Sequence, residues 1–288
     1  MSIEAHEGRS LGIEASTVGL AARDAARWAA QAGVTVRELR DLDEAHAVIA
    51  LLVEIWGRPE NPLITVEFLR ALTKAGNYVA GAYDGDRLIG VCIGFHEEPA
   101  ARTLHSHIAG VAPGLAGRGI GMALKLHQRA WALARGIVAV EWTFDPLVSR
   151  NAYFNIVKLG ALPVEYLPNF YGAMHDAING GDDTDRLLVR WELLSPRVRA
   201  ACSGTPCERP ADGPSSRRVA APADIEALRA HDMAAARDWR HRLRDELEPL
   251  MAAGGRVVDF DRELGYLVTR PAACPAARPD TDQIRRTP

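Results

Sequence analysis

The sequence lacks the features that mark secreted, metal-bound or membrane-embedded proteins. It has four cysteines in 288 residues, at positions 92, 202, 207 and 274. Their spacing offers neither paired zinc ligands nor a disulfide framework. No apolar run approaches the roughly 20 residues that cross a bilayer, and the N-terminus lacks the basic start and apolar core of a signal peptide. We therefore expect a cytoplasmic, reduced protein with no metal site and no membrane partner.

An excess of basic side chains is also missing. The chain has 34 Lys and Arg against 37 Asp and Glu, which gives a net charge of −3. Non-specific binding to nucleic acid requires surplus positive charge, so the composition gives no support for a nucleic-acid partner. A content of 48% hydrophobic residues is typical of a globular protein with a buried core, and the length allows one or two domains.

Hydrophobic periodicity and glycine punctuation predict alternating helices and strands along most of the chain. The predicted order is a helix ending at Gly33, a strand from Val34, two helices ending at Gly57 and Gly76, a hairpin around Asp84–Gly85, a strand at 103–111, a helix at 119–134, a strand from Ile137, a helix ending at Gly160 and a strand at 186–193. Between the last two elements we expect mainly loop. Beyond 216 a helical stripe through Trp239, Leu243, Leu247 and Leu250 and one or two further strands are predicted.

A glycine-rich loop between a strand and a helix carries the strongest functional signal. Gly114, Gly117, Gly119 and Gly121 lie within eight residues. Glycines let a backbone approach a ligand closely, and a helix start offers free N–H groups to an anion. Met122 stands where a nucleoside-triphosphate loop needs Lys and where a dinucleotide loop needs its last glycine. A loop that wraps a diphosphate and a turn that only tightens the connection both stay open.

One segment contains the strand end GVAP, the loop GRGIG, a long helix and the buried strand that follows. This segment resembles the coenzyme-A-binding core of the GCN5-related N-acetyltransferase (GNAT) superfamily. The order of elements from Val34 to Leu194 also matches this superfamily. The family motif reads Gln/Arg-x-x-Gly-x-Gly/Ala. Gly119 and Gly121 supply its second half, whereas Ala116 replaces the Gln or Arg and Arg118 offers a guanidinium nearby. The segments around "HSH", "WTFDPLVSRNAYFNIVKLGA" and "NFYGAMHDAINGGDDTDRLLVRWEL" resemble a subgroup of predicted acetyltransferases of unassigned substrate.

This resemblance implies an α/β (α+β) fold with a central mixed, mostly antiparallel, splayed sheet flanked by helices. We expect an N-terminal helical extension at 1–33, the acyl-CoA-binding core at 34–194, a linker at 195–216, a C-terminal helix and strands at 217–270 that pack on the core, and a disordered tail at 271–288. The residues expected to bind the cofactor are Val111, Leu115, Ala116, Gly117, Arg118, Gly119, Ile120, Gly121, Asn151 and Asn155.

The helix "NAYFNIVKLGA" resembles the family helix that carries a catalytic tyrosine. Asn151, Lys158 and Gly160 match that pattern, but Ile156 occupies the position of the tyrosine that would protonate the leaving thiolate. The resemblance therefore leaves the general acid open. Tyr153, one turn earlier, and Tyr171, in the following loop, are the candidates.

The strand before the glycine loop offers a general base. His105 and His107 alternate along it, so both side chains should lie on one face. Histidine titrates near neutral pH and suits proton removal from an amine, and His107 is nearer the loop. Glu141, in the buried strand, is a second candidate, since a buried carboxylate is paired or shifted in pKa. Each of these three side chains has an equally simple structural reading as a hydrogen-bonding or ion-pairing group.

Other charged segments carry weaker expectations. Asp145 before a proline predicts a helix cap. Residues 182–186 predict a solvated turn, with contact between Arg186 and an anionic substrate as the alternative. Residues 237–246 predict a solvated helix face.

Together these features predict an N-acyltransferase that moves an acetyl or succinyl group from acetyl-CoA or another acyl-CoA directly to a small amine, amino-acid-like molecules included. A strand amide would polarise the thioester carbonyl. Cys92 is expected in the core, and a homodimer is an open option. A catalytically silent acyl-CoA-binding module is the alternative, and a nucleotide-binding enzyme with an atypical loop is a third.

Overall fold

The computed structural model describes residues 13–172, 182–205 and 209–270. Within these ranges the α-helices are α1 (Ala15–Ala32), α2 (Leu42–Trp56), α3 (Val66–Lys74), α4 (Ile120–Ala134), α5 (Ser149–Ala152), α6 (Pro196–Ser203), α7 (Ile225–His231) and α8 (Met233–Ala252). A 3₁₀ turn spans Pro99–Ala101, and a π-helical turn, Tyr153–Lys158, follows α5 directly.

Ten strands form two sheets in the described part of the chain. They are β1 (Thr35–Glu38), β2 (Tyr78–Asp84), β3 (Arg87–His96), β4 (Thr103–Val111), β5 (Ala139–Phe144), β6 (Leu162–Leu167), β7 (Arg186–Glu192), β8 (Ser216–Val219), β9 (Arg256–Asp261) and β10 (Gly265–Thr269). The main sheet has the order β1-β2-β3-β4-β5-β7-β6, and the small sheet has the order β8-β10-β9. Every pairing is antiparallel except that of β4 with β5. The expected mixed, mostly antiparallel sheet flanked by helices is confirmed.

Local sequence chemistry sets the ends of these elements. Asp41 accepts a hydrogen bond from the Glu44 amide at the start of α2, as an N-cap should. Gly57 ends α2 with φ at +64°, a conformation that glycine adopts without strain. Gly85 takes φ of +59° in the β2–β3 turn, so the predicted Asp84–Gly85 hairpin is confirmed.

Helices cover the two faces of the main sheet. α4 lies on one face, where Gly90 of β3 faces Ile120 and Leu124. α2 lies on the other, where a Cβ on Gly110 of β4 would meet the Trp56 ring at 2.7 Å. This close approach requires a glycine at 110. α1 packs alongside α4.

The main sheet opens between its two parallel strands. β4 pairs with β5 only at Thr103–Ala139, Leu104–Val140 and His105–Glu141. Residues 106–111 of β4 and 142–144 of β5 continue without pairing to each other. Unpaired strand edges offer backbone N–H and C=O groups to a ligand. The opening lies immediately before the glycine-rich loop.

The segment after β7 packs on the core through buried ion pairs. Arg240 of α8, 1% exposed, donates to both carboxylate oxygens of Asp145 and to Asp182. Arg229 of α7 donates to the same two carboxylates. Arg244 binds Asp185 and Asp183.

Three expectations about charged segments were therefore wrong. Residues 182–186 do not form a solvated turn, since Asp182, Thr184 and Asp185 are at most 3% exposed. The segment 237–246 is not a solvated face, because Arg240 lies in the buried stripe of α8. Asp145 does accept from the Leu147 amide, but its main contacts are the two arginines. Although burial acts to raise the pKa of Asp145, Arg240 and Arg229 hold it below its ordinary value.

Several elements were not predicted. β6 lies in a stretch expected to be loop, and α6 and the start of β8 lie in the stretch expected to be a linker. α6 begins with Ser195 as N-cap and a proline at its first position, a start signal that the Pro-, Gly- and Ser-rich composition concealed. The expected tail at 271–288 and the first 12 residues lie outside the described residues. Cys92 and Cys202 are buried free thiols.

Candidate active site

The N-terminus of α4 presents a concentration of free backbone donors. Gly119 is its N-cap residue, and no side chain caps this end, in contrast to α2 and α3. The first intrahelical bond is donated by the Ala123 amide to Gly119, so the amides of residues 120–122 have no helical partner. Within the described part of the chain, no backbone carbonyl accepts from the amides of Ala116, Gly117 or Gly119.

Glycine is required in this loop by its backbone conformation. Gly114, Gly117 and Gly119 have φ of +78°, +84° and +83°, a region that costs other residues roughly 1–2 kcal/mol. A Cβ on Gly114 or Gly117 would meet nothing within 4 Å. The space above these two glycines is therefore open, and their requirement is one of backbone shape rather than packing.

The other residues expected to bind the cofactor surround this loop. Val111 ends β4 opposite Gly90 and is partly buried, as is Leu115. Ala116 and Arg118 are exposed, and the Arg118 guanidinium lies 4.0 Å from the Asp84 carboxylate of the β2–β3 turn. Ile120 is buried beneath the loop. The polar groups of the loop are therefore its backbone amides and carbonyls and the exposed Arg118 guanidinium.

The π-helical turn lies against the start of α4. A Cβ on Gly121 would lie 3.8 Å from the Phe154 ring. Asn151 in α5 is partly buried, and Asn155 in the π-helical turn is 5% exposed. Ile156, at the position of the family's tyrosine, is completely buried in the core. Single π-helical turns are frequent at functional sites.

His105 and His107 lie together on the face of the sheet opposite α4. Their ring centroids are 5.9 Å apart, and they lie 5.0 and 5.7 Å from the ring of Phe95 in β3. The β3–β4 register shifts between Ile93 and Gly94, which leaves His107 as a bulged residue. Loss of surrounding water lowers the pKa of both imidazoles. Both rings are therefore neutral at pH 7 and able to accept a proton.

Glu141 lies beside His105 but is held in an ion pair. The two residues are opposed in the last pair before β4 and β5 diverge. The Glu141 carboxylate accepts a hydrogen bond from Arg190 of β7. This contact pairs the Glu141 carboxylate with a guanidinium that also binds Glu192.

The two candidate tyrosines have different surroundings. The Tyr153 ring faces the C-terminal segment, with the Arg262 guanidinium 4.5 Å from its centroid. The Tyr171 hydroxyl lies 3.1 Å from Oγ1 of Thr143, in the part of β5 that has left β4. Thr184 fixes Tyr171 by accepting from its amide. Of the two hydroxyls, that of Tyr171 is placed at the opening of the sheet.

A polar group on the opposite face supports β4 from behind. Ser106, between the two histidines, accepts from Nζ of Lys125 at 3.0 Å, and Gln128 accepts from the same ammonium at 2.7 Å. The ammonium lies 3.7 Å from the centroid of the Trp142 ring. Burial lowers the pKa of Lys125 to about 8.

Sequence reasoning missed two neighbours of the histidines. Phe95 supports both rings, and Glu97 places Oε1 at 4.0 Å from Nδ1 of His105. Phe95 lies near the end of β3 and Glu97 directly follows this strand, opposite the start of β4. Only the β3–β4 register places them there, and the bulge at His107 makes that register unreadable from alternation.

Comparison with known proteins decides the family. Residues 21–153, just under half of the chain, match the family model described as an acetyltransferase (GNAT) domain. Residues 21–153 therefore form a GNAT acetyltransferase domain. The activity of this family is acyl-CoA-dependent acetyl transfer, and the resemblance inferred from the glycine loop is confirmed.

Solved GNAT structures are similar to the chain at low identity. The ribosomal-protein-S18-alanine N-acetyltransferase of Escherichia coli has 12% identity, covers 56% of this chain and 94% of its own, and gives a TM-score of 0.44. RimJ of Mycobacterium smegmatis in complex with CoA-disulfide has 19% identity, with coverages of 60% and 91% and a TM-score of 0.46. An N-acetyltransferase of Staphylococcus aureus Mu50 has 15% identity, with coverages of 56% and 98% and a TM-score of 0.44. No curated protein matches the sequence.

Two negative findings apply to the described residues of this GNAT chain. Among them, no group of three or more His, Cys, Asp or Glu side chains is arranged to hold a metal ion. No described helix is long and apolar enough to cross a membrane.

Proposed function

We propose that this GNAT chain transfers the acetyl group of acetyl-CoA directly to a small primary amine at the opening between β4 and β5. The observation that carries the proposal is the order of features along one stretch of chain. The imidazole of His105 lies at the last β4–β5 pair, and that of His107 lies two residues further on, where the strands have parted. An uncapped glycine loop follows.

The residues present fit coenzyme A. The free amides of Ala116, Gly117, Gly119 and residues 120–122 and the positive end of α4 would hold its diphosphate, with the Arg118 guanidinium as an added cation. Asn151 and Asn155, on the segment that touches Gly121, would border its pantetheine arm. The exposed backbone edge of β4 would accept the arm as an added strand and donate an amide to the thioester carbonyl. The bound donor supplies the acyl group as a thioester.

The chain's own side chains would manage the protons. His107, with His105 beside it, removes one proton from the acceptor's ammonium and passes it to solvent. The nitrogen then bonds to the thioester carbon in place of sulfur. Tyr171 protonates the departing sulfur and then takes up a proton from solvent. The nitrogen of the new amide releases its remaining extra proton to solvent. The ion pair of Glu141 and Arg190 fixes the side of the opening that lies next to His105. Tyr153 has no assigned proton transfer.

We further propose that residues 217–270 belong to the same structural unit as the core. The Tyr266 hydroxyl donates to the Pro146 carbonyl at 2.6 Å, and the Arg197 guanidinium bridges the carbonyls of Ile156 and Val258. These contacts join the C-terminal strands to the segment after β5.

The test is release of free thiol by the purified full chain with acetyl-CoA, then succinyl-CoA, and a panel of primary amines. Amine-dependent thiol release supports the proposal, and comparison of the two donors identifies the acyl group. Thermal stabilisation by coenzyme A with no turnover across the panel would favour a silent binding module, as Ile156 and Ala116 allow. Stabilisation by NAD or ATP but not by coenzyme A would contradict the proposal.

A further inference from the structure

Glu97 presents a carboxylate at the root of the sheet opening. Its amide donates to the Thr103 carbonyl at 3.2 Å, which fixes its backbone beside the first residue of β4. Its Oε1 lies 4.0 Å from Nδ1 of His105, and its side chain is 30% exposed. The carboxylate is therefore both next to the imidazole and open to a ligand.

Two carboxylates, those of Glu97 and Glu141, lie beside this imidazole. Glu141 lies in register with His105, and its partner Arg190 also binds Glu192. One guanidinium thus serves two carboxylates. In the described part of the chain, His105 is the basic side chain within 4 Å of Glu97. Burial, and then the charge of Glu141, raises the pKa of Glu97, while the charge of Arg190 opposes this rise. A cation placed here would relieve the repulsion between the two carboxylates.

We infer that Glu97 is the residue that receives the acceptor's ammonium, and that the site selects amines with no carboxylate beside the reacting nitrogen. This inference rests on the proposed function and narrows its substrate class. An ammonium between Glu97 and His105 is held by a charge-assisted hydrogen bond and lies within reach of the base. The carboxylate of an α-amino acid would instead face Glu97 and Glu141 across a few ångströms, where like charges repel. The acceptor proposed here is therefore a cationic amine with no carboxylate beside the nitrogen, rather than the amino-acid-like molecule that the sequence suggested.

The probes are pentylamine and norleucine, which differ only by the carboxylate on the carbon that bears the amine. Binding of each to the full chain saturated with coenzyme A is measured by calorimetry at pH 7. Initial rates with acetyl-CoA give KM and kcat. The variant is Glu97→Gln, and the matched control is Glu98→Gln, since Glu98 is the exposed neighbour.

We expect wild type to bind pentylamine at least tenfold more tightly than norleucine. Glu97→Gln should weaken pentylamine binding and raise its KM about tenfold or more, as loss of a hydrogen bond to a charged group does, with a much smaller change in kcat. Glu98→Gln should match wild type. The split between KM and kcat separates docking of the acceptor from general damage to the site.

Equal binding of the two probes, absence of pentylamine binding, or an unchanged KM in Glu97→Gln would each overturn the inference. These outcomes leave the proposed function standing if thiol release with other amines persists. Failure of coenzyme A itself to bind would instead contradict the proposed function.

Discussion

At the scale of single residues, the account depends on two imidazoles that are neutral at pH 7. His105 and His107 pack on Phe95, and loss of surrounding water lowers the pKa of each. A base is active in its neutral form, so activity should be lost only as the pH falls through the lowered pKa.

The first prediction concerns His107. Changing it to Gln should reduce kcat/KM by about 10²–10⁴-fold, the usual contribution of a general base. The acid limb of the wild-type pH profile should lie below 6.5, the ordinary pKa of histidine. His46→Gln, at an exposed position in α2, is the control. A wild-type limb above 6.5, or a His107→Gln rate equal to that of the control, would remove the assigned base.

The second prediction distinguishes the two tyrosines. Tyr171→Phe should lower kcat because its hydroxyl lies beside Thr143 at the opening, whereas Tyr153→Phe should leave kcat within about twofold. Steady-state rates and thermal stability of both variants provide the measurement. The reverse ranking would assign the acid to Tyr153 and contradict the geometry.

At the residue scale, the sequence indicated local geometry but not contacts between strands. The glycine loop and the histidine pair were both found, because chain spacing alone indicates them. Glu97 was not found, because its contact with His105 crosses from one strand to the next. The position of Ile156 was correctly noted as a departure, but only the structure shows that its side chain lies in the core.

At the scale of elements, α8 shows how a periodic pattern can mislead. Its predicted stripe ran through Trp239 and the leucines after it, but Arg240 occupies the buried face with Ala236 and Leu243. A buried arginine looks like a surface residue in sequence, since its partners Asp145 and Asp182 are distant along the chain. β6 was also missed, because a bulge in its pairing with β7 breaks the alternation of apolar and polar side chains along the strand.

The third prediction concerns this buried arginine. Arg240→Met should lower the free energy of unfolding by about 3–5 kcal/mol, because it leaves the carboxylates of Asp145 and Asp182 underpaired in the interior. Arg242→Met, at an exposed position two residues away, should change it by about 0.5 kcal/mol or less. Urea denaturation of both variants is the measurement. Equal effects would show that the buried ion pairs do not stabilise the protein.

At the scale of the whole molecule, helices from both ends of the described chain pack on elements of the middle. α1 packs along α4 and brings Ala32 to within 3.7 Å of a Cβ built on Gly119. α7 and α8 close over the segment after β5 through Asp145 and Asp182. The central fold was predictable because its elements are strongly periodic and follow a known order. The elements at the two ends were also expected, but the ion pairs that position α7 and α8 were not, because they join segments that are distant in sequence.

The most direct test of the central claim is calorimetry of coenzyme A binding to a matched pair of glycine variants. Gly117 and Gly76 have φ of +84° and +79°, and neither has an atom within 4 Å of a built Cβ. Gly117→Asp and Gly76→Asp therefore introduce the same backbone strain and the same charge, but only the first places that charge in the loop. We predict that wild type and Gly76→Asp bind coenzyme A tightly. Gly117→Asp should lose this binding, although its stability should equal that of Gly76→Asp. Equal binding by the two variants, or no binding by wild type, would contradict the claim that the backbone amides at the start of α4 hold the diphosphate.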